Sequence, residues 1–250
     1  MRKARALLRK DMLTVFRNRL MLLLIVVPPV FAGVMRIILV KVAKRYVSWL
    51  PPDVEVLFAP LVAMMPGYLV GTAAGFGLVT ERETRAAVSL RVMPVSGRLF
   101  SLYQSGWQAI LAMLLAPLCL WVFGVPPASW AEALIVIAAL SLGAGLLAFM
   151  LGSLAANRIE ALAVSKMTGV LLLTPVAVFL APPAVQLVVA WSPWYWAYVG
   201  LLGAIAGNGA AAVSLVRWPG YSPLAAAAAC LITGLGWTFA AGRRYHRLAD

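Results

Sequence analysis

Three observations predict an all-α polytopic membrane protein with about six transmembrane helices. Of 250 residues, 63% are hydrophobic and only 12% are charged. With a mean hydropathy of +0.93, this is more than one soluble core requires. The apolar residues gather into runs of the length a helix needs to cross a bilayer, about 20 residues. The remaining charges cluster in the flanks of those runs.

The chain reads as one transmembrane domain, residues 1–250. Residues 1–19 form an amphipathic arm: Ala4, Leu8, Met12 and Val15 share one helical stripe, with Arg2, Arg5, Arg9, Lys10 and Arg17 on other faces. Such a helix lies in the interface plane, as an anchor or as a contact for a partner. Its basic start resembles a signal peptide, but the apolar run that follows is too long and lacks a small-residue cleavage site, so it is expected to be retained. Crossings are predicted at 20–40, 56–79, 99–125, 133–156 and 223–241. The apolar stretch from Met167 to Ala190 carries Pro175, Pro182 and Pro183. It reads as a short span that breaks near the paired prolines, followed by a non-spanning segment. Residues 185–222 are thereby set apart as an outer, non-spanning region before the last helix.

Lys and Arg bias loops toward the cytoplasm. With six crossings, all basic residues except Arg36, Lys41, Lys44, Arg45 and Arg217 fall on one side. That side is expected to be cytoplasmic and to hold both termini, the loop 80–98 and a loop at Asn157 to Lys166. The outward group is accommodated by snorkelling, with Tyr46 and Trp49 at headgroup level. The net charge of +13 reads in the same way, as a signal for topology and for membrane lipid headgroups, with no nucleic-acid partner.

Residues 80–98 form the one compact charged segment between two long apolar runs. Thr80 followed by Glu83 is a capping-box pattern, and Glu81 and Glu83 would favour the dipole of a first turn. Arg91 falls toward the far end, Pro94 stops the helix and Ser96 caps the next crossing. A cytoplasmic helix of about three turns, tied to two crossings, is expected.

This segment resembles one found in ABC-2 type ABC transporter permeases, approximately E-R-E-x-G-T-L-E-x-L-x-V-T-P-V-S. Glu81, Arg82, Glu83, Leu90, Val92, Pro94, Val95 and Ser96 stand at matching positions. Arg85, Ala86, Val88 and Met93 depart from it. The run Ser192, Pro193, Trp194, Tyr195, Trp196 is similar to the family's second motif, N-P-L-x-Y/W-x. The resemblance implies the transmembrane subunit of an ATP-driven exporter, paired with a second permease copy or a paralogous permease and resting on cytoplasmic ABC ATPase subunits. It implies a coupling helix in which Glu81, Arg82, Glu83, Arg85, Leu90, Arg91, Met93 and Pro94 meet the ATPase, and an outer re-entrant region containing Pro193, Trp194, Tyr195 and Trp196. The cargo it implies is an amphiphilic drug-like compound or a lipid, moved across the cytoplasmic membrane.

The residues present agree with a subunit that is not itself an enzyme. No glycine-rich phosphate loop ending in Gly-Lys-Ser/Thr occurs, so ATP and Mg are expected on the partner, with no cofactor in this chain. His246, the one histidine, sits in the C-terminal tail, and the eight carboxylates are scattered, leaving no catalytic constellation or metal cluster. The alternatives are a membrane-embedded lipid-modifying enzyme and a secondary transporter. The latter usually needs an ionisable group in mid-span, and the central portions of these spans carry none. Cys119 and Cys230 fall in apolar runs and read as small buried hydrophobes.

Within the spans, Gly67, Gly71 and Gly75 make a flat stripe for close helix approach, inside the subunit or between two copies. Ala144, Ala148 and Gly152 make a similar stripe. Ser101, Gln104, Ser105 and Gln108 form a polar stripe on the third span, serving either as helix-to-helix glue or as a cargo pathway. Trp191, Trp194, Tyr195, Trp196 and Tyr198 read either as an aromatic belt at the outer interface or as the mouth of the pathway.

Overall fold

Long apolar runs become long helices because a bilayer offers no water to satisfy backbone N–H and C=O groups. The computed structural model describes residues 19–46, 54–83, 97–172, 186, 188–207 and 222–249. They form α1 (Arg19–Tyr46), α2 (Val54–Glu83), α3 (Gly97–Phe123), α4 (Trp130–Leu154), α5 (Arg158–Leu171), α6 (Pro193–Ala206) and α7 (Pro223–Ala249). The described residues include no strand. Helices α1, α2, α3, α4 and α7 each contain an apolar stretch long enough to cross a membrane, and the chain is a multi-pass membrane protein. Prolines inside α1, α2 and α3 are tolerated because neighbouring helices and local adjustments re-satisfy the freed backbone groups.

Helix α4 is the hub, packing against α2, α3, α5, α6 and α7. Its Ile137, Leu146, Leu147 and Leu151 are fully buried. Burial over most of its surface, with Leu134, Ile135 and Leu142 left exposed along one stripe, is expected of a helix that is apolar on every face. Helix α1 packs on α2 and α3 and turns Leu23, Val26, Val30, Val34 and Ile37 outward.

Two ends of the bundle can be told apart. At one, α3 closes on Gly124, whose φ of +77° suits a residue without Cβ. The Arg36 guanidinium lies against this glycine, so the second half of α1 reaches the same end, and that contact is where the anomalous arginine of the first span rests. Ser129 caps α4 here, accepting from the Glu132 N–H at 3.4 Å, and its own N–H donates to the Ala204 carbonyl of α6 at 3.2 Å. At the other end lie Glu83 and the α4–α5 turn, where the Arg158 N–H donates to Glu83 Oε1 at 2.8 Å. The chain is therefore at the Glu83 end at Arg158 and at the Gly124 end by Ala204. Between Arg158 and Ala204 the chain passes from one end to the other a sixth time, and the described part of that passage includes two helices of 14 residues, each about 21 Å long and too short to span alone. The prolines expected to break it, Pro175, Pro182 and Pro183, lie outside the described residues.

Two expectations are corrected. No new helix begins at Thr80: α2 runs unbroken through Thr80 to Glu83, because the side chains expected to cap a fresh helix bond to Arg158 instead. The Asn157 to Lys166 loop is the first half of α5. Asn157 Oδ1 accepts from the Glu160 N–H at 2.8 Å, and Glu160 Oε2 accepts from the Ala156 N–H at 2.7 Å. This reciprocal cap works as a capping box does. The arm before Arg19 lies outside the described residues, as do Arg85, Leu90, Arg91, Met93 and Pro94.

Candidate functional site

The glycine stripe of α2 meets the small-residue stripe of α4 within the chain. A Cβ on Gly71 would stand 2.5 Å from the Ala144 carbonyl oxygen, and one on Gly75 would stand 2.6 Å from Leu151 Cβ. Both are closer than real Cβ atoms come, so bare backbone is what lets the helices approach. Gly67 is buried but leaves open space where a Cβ would be.

Toward Glu83 the seam becomes polar. Arg82 Nη1 donates to the Gly152 carbonyl at 3.1 Å, and Nη2 donates to the Ala155 carbonyl. A cation among the last carbonyls of α4 satisfies acceptors that have no partner within the helix and opposes the negative end of its dipole. Glu83 does the reverse for α5: Oε1 accepts from the Arg158 N–H, and Oε2 stands 3.3 Å from Arg158 Nε. Arg158 Nε also donates to Thr80 Oγ1 at 3.0 Å. Two adjacent residues of α2 thus hold two oppositely polarised helix ends. The Glu83–Arg158 side chains are partly in solvent, so their ion pair adds little on its own; direction comes from the bonds to backbone. Buried Val79, Ala155 and Ala161 pack beneath the clasp with Phe76 and Val164. Glu81, in the same turn, is half-buried.

The aromatic cluster is not a lipid-facing belt. Trp194, Tyr195 and Tyr198 are buried. Tyr198 Oη donates to the Leu57 carbonyl at 2.9 Å, fastening α6 to the start of α2. Pro193 lies beside Gly234, well along α7, so α6 begins inside the bundle and ends at the Gly124 end. Trp196 is half-buried, and its indole N–H donates to the Ala190 carbonyl. Trp191 is exposed and lies against Trp237, with ring centroids 4.5 Å apart. A small, shallow groove lined by Leu140, Gly143, Trp194, Leu231 and Gly234 runs between α4, α6 and α7.

Of the polar stripe on α3, Gln108 has a described side chain. It is 5% exposed, and its Oε1 accepts no hydrogen bond, a costly state for a buried acceptor. Ser101, Gln104 and Ser105 lie on the preceding turns of the same helix.

A family model described as fluoroquinolones export permease protein Rv2686c-like matches residues 11–234. The chain belongs to this family. No curated protein matches it. Membership of the Rv2686c-like family identifies the chain as an export permease, a transport protein and not the membrane-embedded enzyme given above as one of two alternatives. It is consistent with the ABC-2 resemblance. The matched region contains the α2–α4 seam, the clasp, α6 and Gln108. The structure brings Arg82 and Glu83 together with Gly152, Ala155 and Arg158, residues the sequence did not single out as a site. The available signal was the Asn157–Glu160 spacing, which marks a helix start opposite the end of α2.

Proposed function

We propose that this member of the Rv2686c-like family is the transmembrane subunit of an ATP-driven ABC-2 type exporter, working with cytoplasmic ATPase subunits and a second permease copy or a paralogous permease. The family match supports the export part of the reading, since its description names export, and the resemblance of residues 81–96 to the ABC-2 segment supports the ATP-driven part. The Glu83 end faces the cytoplasm in this reading, because the charged segment and most of the basic residues belong to it. Residues 84–96 join α2 to α3 there, so an ATPase engaging Arg85, Leu90, Arg91, Met93 and Pro94 would act directly on two spans. The motion is a rigid-body shift between two packings.

The cargo is an amphiphilic drug-like compound, with a fluoroquinolone as the first to test. Its path runs along the polar stripe of α3, a role supported by the unbonded Gln108 Oε1, an acceptor a passing donor could use. Proteoliposomes holding the chain and its ATPase should transport a fluorescent fluoroquinolone when ATP is supplied, and an ionophore should not stop them. Transport that survives without ATP but collapses with the ionophore would favour a secondary transporter. Arg91→Glu should weaken retention of the ATPase on the purified chain. Gln108→Leu should preserve that retention, lower drug transport and raise stability by about 1–3 kcal/mol as the unpaired acceptor is removed. Unchanged transport by Gln108→Leu would remove the stripe from the pathway.

A further inference from the structure

We infer that Arg82 and Glu83 are positioning residues that lock α2, α4 and the start of α5 into one moving unit, with Arg158 as their receiving partner. The inference rests on the proposed ATP-driven coupling and narrows it: the first residues of the charged motif are directed into the chain, and ATPase contact is left to residues after Glu83.

The contacts run in one direction along α2. Gly71 and Gly75 are set against the α4 backbone and Leu151, and two turns later Arg82 holds the carbonyls of Gly152 and Ala155. Helix α2 is thus fixed to the second half of α4, from mid-span to its final carbonyls. Glu83 then takes the first N–H of α5, while Tyr68 Oη, further back on α2, donates to the Ser165 carbonyl of α5 at 2.7 Å. Helix α5 is therefore held at two points about two turns apart, which restrains it from pivoting about either one. A push delivered to the end of α2 reaches α4 without an intervening loop. Because α4 is also packed on α6 and α7, the displacement passes to the helices beside the apolar groove and the Gly124 end.

Two arms test this. In nanodiscs containing the chain alone, Arg82→Ala and Glu83→Ala should increase hydrogen–deuterium exchange across residues 150–162 by about tenfold, the scale of losing a charge-assisted bond, with Arg82→Lys restoring part of the protection. Exchange that stays at the native level in both alanine variants overturns the inference, whatever the ATPase does. In the reconstituted complex, Arg82→Ala should retain the ATPase and its basal hydrolysis while drug moved per ATP falls about tenfold. Loss of the ATPase in step with transport would make Arg82 a contact residue and overturn the inference. A Glu83→Cys/Arg158→Cys pair, bridged by a flexible bis-maleimide, should still transport; loss of transport on bridging would mean the two ends must separate. If the unaltered chain fails to retain any ATPase, the proposed function fails, and the exchange arm still reports on the unit.

Discussion

Helices α1 and α4 are both apolar enough to cross a membrane, yet α4 is buried on nearly every face and α1 is largely bare. Composition does not separate them. In lipid, apolar side chains gain little by moving from acyl tails to another helix, so association depends on close packing and on polar bonds. Helix α4 has both: small residues facing the glycines of α2, and terminal carbonyls taken by Arg82. Helix α1 offers mainly branched side chains, and its one charged residue in mid-helix, Arg36, rests at the Gly124 end of α3.

The sharpest way to break this contrast is to thicken the seam. Gly75→Leu would force atoms into the space of Leu151, and overpacking of this kind costs about 1–3 kcal/mol. We expect a clear drop in melting temperature in detergent, followed by tryptophan fluorescence. Gly77→Ala, two residues away with open space around its Cβ position, should leave melting unchanged. Equal losses in both variants would mean that the close approach at Gly75 does not set the cost, since Ala and Leu both exceed Gly in helix propensity and propensity alone would raise stability.

How much of this was legible in the sequence follows from the range of each cause. Crossing length is local, so the apolar runs at 20–40 and 133–156 map onto α1 and α4. The stripes at Gly71–Gly75 and Ala144–Gly152 are also local, but that they face each other depends on how α2 and α4 pack, which neither stripe encodes. Thr80 and Glu83 illustrate the reverse error. Their spacing fits a capping box, yet an Arg more than 70 positions later claims both side chains and the helix passes straight through. For the aromatic run, composition suggests interfacial depth, whereas α6 begins inside the bundle and buries Trp194 and Tyr195 there. The segment from Arg85 to Pro94 is outside the described residues, and its role stays with the proposed function.

A second, smaller test compares α6 with the hub it leans on. Tyr198→Phe keeps the buried ring and removes the bond from its hydroxyl to the Leu57 carbonyl. The cost should be about 0.5–1.5 kcal/mol, because that carbonyl lies within α2 and keeps its helical environment. A change beyond about 3 kcal/mol would mean that the hydroxyl belongs to a wider network.

The smallest effect is expected on the bare face of α1. Val30→Ala and Ile37→Ala remove methyl groups from side chains that are 56% and 55% exposed. Lipid tails can fill the vacated space as well as the side chain did, so no cavity results, and stability in nanodiscs should shift by less than about 0.5 kcal/mol. The measurement has a second use, because the proposed function includes a second permease copy. If the variants leave melting untouched but lower the dimer fraction seen by native mass spectrometry, the outward face of α1 is covered by protein. If both quantities stay fixed, lipid is its partner, and the difference between α1 and α4 is one of packing alone.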